Sequence, residues 1–214
     1  VSTARITHAT PAGSYAHAAN RNWEDSASLP PEVKAAGCKD IAQQLLDTPY
    51  GDGPDVILGG GRAHFLPDSV VDPEHSKKTG KRDDGRNLIE QWLQSRSGRE
   101  YVWNRQDFLA LSERRAKGEG SNGQVMGLFE PSHMQFEADR ANDPAGEPSL
   151  LEMTQFALSE MQKAEQGYFL LIEAGRIDHA HHGSNAYRAL VDTVALSEAV
   201  QWVTDHVDLS DTLI

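Results

Sequence analysis

The sequence predicts an α/β protein with a mostly parallel central sheet and helices on both faces. Strand-like and helix-like segments alternate along most of the 214 residues, as expected when each strand returns through a helix. The apolar run at 168–172 is rich in aromatic and branched side chains and fits a strand buried on both faces. Glu173 and the motif DHAHH at 178–182 follow it, and open α/β sheets bind ligands at the carboxyl ends of their strands.

Composition limits the class of protein. A formal charge of −12, from 32 acidic and 20 basic residues, argues against nucleic acid as a specific partner. Hydrophobic residues make up 38% of the chain, which is enough for a packed core. No apolar run is long enough to span a membrane, and the first residues contain no visible signal peptide.

Cysteine usage gives one further limit. Cys38 is the only cysteine, so an internal disulfide and a thiolate zinc cluster are both excluded. The favoured interpretation is a small buried hydrophobe. The alternative is a disulfide bridge to residues outside this chain.

Periodicity and turn residues predict the elements of the first half. A β-branched run at 1–6 fits a strand, and apolar side chains on one face predict a helix over 31–46. A second strand is expected at 55–58. Three glycines at 59–61 then form a tight turn where a helix or loop comes close. Residues 64–86 are polar and contain scattered proline and glycine, which predicts a long surface excursion.

The second half continues the alternation. Helices are predicted at 87–96, 150–165, where Ser149 is the cap, and 187–207. Strands are predicted at 101–103, 124–130 and 211–214. A charged, glycine-rich stretch at 112–123 is expected to be an exposed loop. No interdomain linker is evident, so residues 1–214 are expected to form part of a single domain.

The acids and histidines near 178–182 suit a divalent metal. Glu, Asp and His supply the oxygen and nitrogen donors that zinc and magnesium bind, although spacing alone does not identify the ion. The alternative is an exposed loop, or a helix start with Asp178 as N-cap. His8 and Thr10 are placed to project into the same crevice as Glu173, unless Thr10 only forms a Thr-Pro turn.

Two other groups of polar residues are candidate ligand sites. Arg21 lies close to Trp23 in a stretch with few charges; its guanidinium can grip a phosphate or carboxylate or stack on the indole. An acidic, turn-rich segment suits a hard cation such as calcium or, alternatively, solvated surface charge. Its acids are Glu130, Asp139, Asp143 and Glu147.

Several long motifs, in this order, resemble the central portion of alkaline phosphatases over nearly the whole chain. The motifs are THATPAGSYAHAANRNW, DVILGGGR, YVWNR, MGLFEP, PSLLEMT, FLLIEAGRIDHAHH and AYRAL. The resemblance implies a phosphate monoester hydrolase with two zinc ions, one magnesium and a phosphoserine intermediate. Phosphate monoesters and inorganic phosphate would be its ligands. Members of this family are usually homodimers, and they are commonly exported to the periplasm, cell surface or medium.

The resemblance also implies roles for individual residues. Asp178 and His182 match two ligands of the first zinc, whereas Thr10 and Glu173 match ligands of the magnesium. In the animal-type branch a calcium lies nearby. Its approximate matches here are Glu74, the carbonyl of Phe129, Glu130 and Glu147.

Three further residues match positions close to the substrate or to the magnesium. Arg21 matches the catalytic arginine that grips the substrate phosphate. His8 and His179 fall at positions that vary within the family: His8 is expected near the magnesium in the second coordination shell, and His179 near the substrate.

The match to the family is partial. The Asp-Ser-Ala segment with the nucleophile would precede Val1, and the Thr-Ala-Asp-His segment with second-zinc ligands would follow Ile214. We therefore expect the 214-residue chain alone to be catalytically incomplete. Two alternatives are a non-catalytic divalent-cation-binding module and a related metal-dependent phosphodiesterase or sulfatase.

Overall fold

A parallel three-stranded sheet lies at the centre of the computed structural model, which describes residues 1–48 and 51–214. Its strands are β1 (Val56–Gly59), β2 (Glu100–Val102) and β3 (Val125–Leu128), in the order β1-β3-β2. Both pairs are parallel. Parallel neighbours cannot be joined by a tight hairpin, so the chain returns through helices between strands.

Helices occupy most of the remaining regular structure in the described residues. In chain order they are α1 (Pro31–Ala35), α2 (Ile41–Leu46), α3 (Leu88–Ser95), α4 (Arg105–Ala116), α5 (Leu150–Met161), α6 (Arg176–His182) and α7 (Ala186–His206). Short 3-10 turns lie at Pro11–Ser14, Ser26–Ser28, Arg62–His64 and Arg140–Asn142. None of the helices in the described ranges is long and apolar enough to cross a membrane.

Alternating side chains of the sheet build a core on each face. Ile57 and Met126 point to one face, where Leu45 of α2 and Trp92 of α3 cover them. Leu58 points to the other face and packs with residues of α4, α5 and α7. Because strand side chains alternate with period two, four-residue strands are enough to serve both cores. The predicted fold class is confirmed.

The segment 168–172 is not a strand, so this prediction is wrong. Within residues 1–48 and 51–214, its backbone pairs with the start of the chain: the Val1 amino group donates to the Leu171 carbonyl at 2.9 Å, and Glu173 forms an isolated bridge with Ser2. Phe169 is 84% exposed. An apolar run becomes a central strand only where backbone pairs with both of its edges, and here pairing is limited to one short segment.

Residues 64–86 form only partly a surface excursion: many are exposed and none lies in a helix or strand, apart from the end of a 3-10 turn at His64, but parts of the segment are buried. Phe65 and Arg82 are fully buried, and the Arg82 guanidinium donates to the Asp40 carboxylate at 2.9 Å. Composition did not reveal that some of the charges in this segment are paired inside the protein, where burial requires a partner.

Several smaller predictions also differ from the structure. The helix predicted over 31–46 is split into α1 and α2 around Gly37, whose φ of +77° favours glycine. α4 continues to Ala116, into the predicted loop at 112–123. Residues 1–6 form only isolated bridges, and 211–214 form no strand. Cys38 is exposed rather than buried.

The turn at 59–61 is tight, as predicted. A Cβ at Gly60 would lie 2.2 Å from the Ser132 carbonyl oxygen, and Gly61 has a φ of +102°. The close approach brings segment 131–134 against the end of β1. This packing positions two candidate sites described below.

Candidate functional site

Asp178 and His182 lie on one face of α6. They are four residues apart, which places their side chains one above the other. Asp178 Oδ2 and His182 Nε2 are 3.5 Å apart, and the side chains are 71% and 79% exposed. A carboxylate oxygen and an imidazole nitrogen at this separation can bind one metal ion with open coordination positions. Gly175, not Asp178, occupies the N-cap of this helix.

The first residues of the chain hold the start of α6 in place. Glu173 accepts a short hydrogen bond from the Ser2 hydroxyl, and the Arg176 amide donates to Thr3 Oγ1 at 3.2 Å. Thr10 is exposed immediately before the turn Pro11–Ser14. In the described part of the chain, no hydrogen bond joins Thr10 to Glu173.

Arg21 is linked to α6 by two histidines, because it contacts His8 and His8 lies against His179 of α6. Its Nη2 lies 3.1 Å from His8 Nε2, and it contacts this imidazole rather than Trp23. The His8 ring is 5.5 Å from the ring of His179, centroid to centroid. His133 completes the group, with its ring 5.0 Å from His8 and 4.1 Å from His179. The structure therefore brings His179 together with His8 and Arg21, from which it is distant in sequence.

Burial, reinforced by neighbouring arginines, keeps this histidine cluster uncharged. Burial lowers the pKa of His133 to about 2, with Arg5 adding to the effect. Burial, with Arg176 next, lowers the pKa of His179 to about 4. The pKa of His8 is also lowered by burial and by Arg5. At neutral pH the rings are therefore uncharged imidazoles surrounded by guanidinium groups.

Sequence reasoning missed His133 and the arginines at this cluster. The Arg5 amide donates to His133 Nδ1 at 3.1 Å across 128 positions of sequence, and Arg176 Nη1 lies 3.1 Å from His179 Nδ1. A lone histidine in a turn carries no local sign of these contacts. The three imidazoles are close enough to share an ion, but the guanidinium groups favour an anion here instead.

A second cluster lies beyond the end of β3 and contains four carboxylates and an imidazole. Its members are Glu74, His75, Glu130, Asp143 and Glu147. His75 Nε2 lies 3.5 Å from Glu130 Oε2 and 3.8 Å from Glu74 Oε2. Glu130, which directly follows Phe129, and Glu74 have buried side chains. This group is called the acidic cluster below.

Several atoms of the acidic cluster are buried without a hydrogen-bond partner. They include Glu147 Oε2, both carboxylate oxygens of Asp143, and His75 Nε2. Burial, followed by the charge of Glu130, raises the pKa of Glu147 to about 9. Burial and the neighbouring Asp143 raise the pKa of Glu74. Unpaired buried carboxylates of this kind are strongly unfavourable unless a cation or protons compensate them.

Asp139 was predicted with these acids but lies outside the cluster. Its carboxylate pairs with Arg188 Nε at 2.8 Å. The structure brings together three of the four acids that the sequence grouped, Glu130, Asp143 and Glu147. It missed His75 as a member, although His75 adjoins Glu74.

Fold and side chains together define an α/β protein with a parallel sheet, in which carboxylates and imidazoles of the types that bind metals gather in clusters. Comparisons with known proteins agree with this class. The family model described as alkaline phosphatase matches residues 1–214. The chain belongs to the alkaline phosphatase family.

Individual relatives share much of the sequence. The chain is 42% identical over 219 residues to the membrane-bound alkaline phosphatase of Bombyx mori, covering 100% of this chain and 38% of the relative. It is 43% identical over 208 residues to the tissue-nonspecific isozyme of Gallus gallus, covering 94% and 38%. The chain thus spans about two fifths of these relatives.

A solved structure shows the same fold. The chain is similar to the crystal structure of Thermus thermophilus alkaline phosphatase, with a TM-score of 0.72 and 30% identity. That match covers 97% of this chain and 35% of the other.

Proposed function

We propose that the complete protein is a metal-dependent phosphate monoester hydrolase, to which this chain contributes the phosphate-gripping arginine and part of the metal sites. The observation that carries the proposal is the contact of Arg21 with His8, which lies against His179 beside the Asp178–His182 pair. These are residues that the family resemblance implies for phosphate and zinc. The relatives that align with 94% and 100% of this chain are named alkaline phosphatases.

The donor sets fit the ions implied by the family. Asp178 and His182 suit one zinc, with further ligands supplied from elsewhere. Glu173 offers the carboxylate oxygen that magnesium prefers, and the family resemblance implies Thr10 as a further oxygen ligand. When bound, such ions neutralise the charge of a phosphate ester and polarise its oxygens. The buried carboxylates Glu130 and Glu147 suit a further cation, which the resemblance implies to be calcium, with Glu74 and the Phe129 carbonyl.

The chain's own residues bind and orient the phosphate in this proposal. Arg21 is exposed, and one of its terminal nitrogens contacts His8. Its other N–H groups remain available to phosphate oxygens. His179 Nδ1 accepts a hydrogen bond from Arg176 Nη1. The ring proton of His179 therefore lies on Nε2, which can donate to an anion. Phosphoryl transfer depends mainly on such positioning and charge stabilisation.

Kinetics of the full-length gene product test the proposal. Arg21→Ala is expected to lower kcat/KM for an aryl phosphate by about 10²- to 10⁴-fold, because two charge-assisted hydrogen bonds are worth roughly 1.5–3 kcal/mol each. Arg114→Ala is the matched control, since the Arg114 side chain is exposed and pairs with Glu100. Unchanged kinetics of Arg21→Ala would contradict the proposal.

The same experiment separates the second candidate function. A non-catalytic cation-binding module would show thermal stabilisation by divalent ions and no turnover by the wild-type protein. The acidic cluster is the observation that favours this candidate. The 214-residue chain by itself is expected to show no more than trace hydrolysis, and robust turnover with serine phosphorylation would contradict that expectation.

A further inference from the structure

We propose that Glu24 is a positioning residue for the phosphate site and acts by fixing the exposed loop that carries Arg21. This loop, called the Arg21 loop below, comprises residues 17–22, all of which are exposed. The inference rests on the proposed function, in which Arg21 grips the phosphate. It deepens that function by naming the buried carboxylate, three residues further along the chain, that holds the arginine in place.

Two side chains of segment 5–8 bind the Glu24 carboxylate. Arg5 Nε and Nη2 donate to its two oxygens at 2.8 and 2.7 Å, and the Thr7 hydroxyl donates to Oε2 at 2.7 Å. Glu24 is only 7% exposed. A two-pronged pair between guanidinium and carboxylate fixes orientation as well as distance. These contacts therefore hold the end of the Arg21 loop against the segment that carries His8.

Glu24 carries its charge throughout the pH range in which phosphate ester hydrolysis would be measured. Burial by itself would raise the pKa of Glu24, but the hydrogen bond from Arg5 and the charge of His64 outweigh burial and lower the pKa to about 2. The pair with Arg5 is therefore a permanent ion pair at neutral and alkaline pH. Its third nitrogen, Arg5 Nη1, lies 2.6 Å from His133 Nε2 in the histidine cluster.

The main chain at Glu24 is fixed by the start of α2. The Ala42 amide donates to the Glu24 carbonyl at 3.1 Å, and the Ile41 amide donates to the Trp23 carbonyl at 2.8 Å. The first amides of a helix have no acceptor within the helix, so these two are free to bind the preceding chain. Side chain and main chain together make Glu24 the anchor at the Arg21 end of the loop.

The other end of the Arg21 loop has an anchor of its own. Gln44 Oε1 accepts a hydrogen bond from the His17 amide at 2.8 Å, and Gln44 Nε2 donates to the His17 carbonyl at 3.1 Å. Loss of the Glu24 carboxylate should therefore loosen the loop near Arg21 without releasing all of it. The contact of Arg21 with His8 at 3.1 Å is a single one at an exposed site, which does not by itself hold a long side chain in one conformation.

A purely structural role of Glu24 is the competing explanation. Removing the carboxylate would then lower stability and reduce activity by the same factor whether or not Arg21 is present. Residues that act through one another instead show non-additive effects in a double-mutant cycle. The cycle between Glu24 and Arg21 therefore separates the two explanations.

Kinetics of the full-length gene product with an aryl phosphate test the inference. Glu24→Ala is expected to lower kcat/KM by about 10- to 100-fold, since a displacement of about 1 Å can cost about 10²-fold, and to raise the inhibition constant of inorganic phosphate. In the Arg21→Ala background the same substitution should cost less than about threefold. Glu100→Ala is the matched control, because Glu100 also accepts two hydrogen bonds from a buried arginine, Arg115; its kcat/KM should stay close to wild type.

A second variant keeps the test decisive if Glu24→Ala folds poorly. Glu24→Gln keeps the shape and one acceptor oxygen but removes the charge, so it should show a smaller loss of kcat/KM that also disappears in the Arg21→Ala background. Losses that multiply fully with that of Arg21→Ala, or phosphate inhibition unchanged in both Glu24 variants, would overturn the inference alone. Unchanged kinetics of Arg21→Ala would overturn the proposed function on which it rests.

Discussion

Replacing Asp192 by asparagine is expected to stabilise the protein at alkaline pH. Asp192 lies in α7 and is only 3% exposed. Its carboxylate accepts a hydrogen bond from the Glu137 amide at 3.2 Å, which an asparagine oxygen can also accept. Burial, which outweighs the nearby positive charge of Arg176, raises its pKa from 3.8 to about 6, and the charges of Glu137 and Asp139 add to the rise.

The sign follows from comparing the folded and unfolded pKa values of Asp192. The folded state holds the Asp192 proton more tightly than the unfolded state does. The stability that Asp192 contributes is therefore complete below pH 3.8 and is lost as pH rises through about 6. The folded and unfolded pKa values differ by 2.2 (6 minus 3.8). At about 1.4 kcal/mol per pH unit, this difference lowers the free energy of unfolding by roughly 3 kcal/mol at pH 8. Asparagine has no charge to desolvate and removes this pH-dependent loss.

Urea denaturation of the full-length gene product at several pH values measures the effect. The gain in unfolding free energy for Asp192→Asn over wild type should grow between about pH 4 and pH 8, reaching up to about 3 kcal/mol. Asp205→Asn, at an exposed position near the end of α7, should give no comparable trend. A gain that is constant with pH, or a destabilisation at pH 8, would refute the reasoning.

Three other substitutions test the packing around the sites. Ser149→Ala removes the capping box of α5 and should cost about 1 kcal/mol in urea denaturation; an unchanged midpoint would mean that another group caps the helix. Gly60→Ala forces a Cβ to within 2.2 Å of the Ser132 carbonyl, so thermal unfolding should occur several degrees lower, whereas an unchanged Tm would show that segment 131–134 moves freely. Arg62→Met breaks a buried ion pair with Asp72 and should cost about 3–5 kcal/mol, with partial recovery in the double variant with Asp72→Ala; no recovery would show that the lone carboxylate is not the cause.

Local signals predicted many elements correctly. Ser149 marks the start of α5 because its side chain accepts a bond from the Glu152 amide, only three residues away. The apolar runs at β1 and β3 also predicted strands that lie between two cores. In each case the residues that determine the element are neighbours in sequence or alternate along one strand.

Contacts between distant segments were not predictable from the sequence. The segment 168–172 has the composition of a central strand, yet its exposure depends on which backbone lies beside it. Arg82 looked like a surface residue until its pairing with Asp40 was known. Sequence composition reports what a side chain can do, whereas burial depends on its partners.

The sequence by itself determined the family, the alternation that gives a parallel α/β sheet, and the four-residue spacing that places Asp178 and His182 on one helical face. Only the tertiary structure decided that His133 joins the histidine cluster and that His75 joins the acidic cluster. The physical reason is that helix periodicity is local, whereas electrostatic surroundings are set by side chains brought together through chain folding.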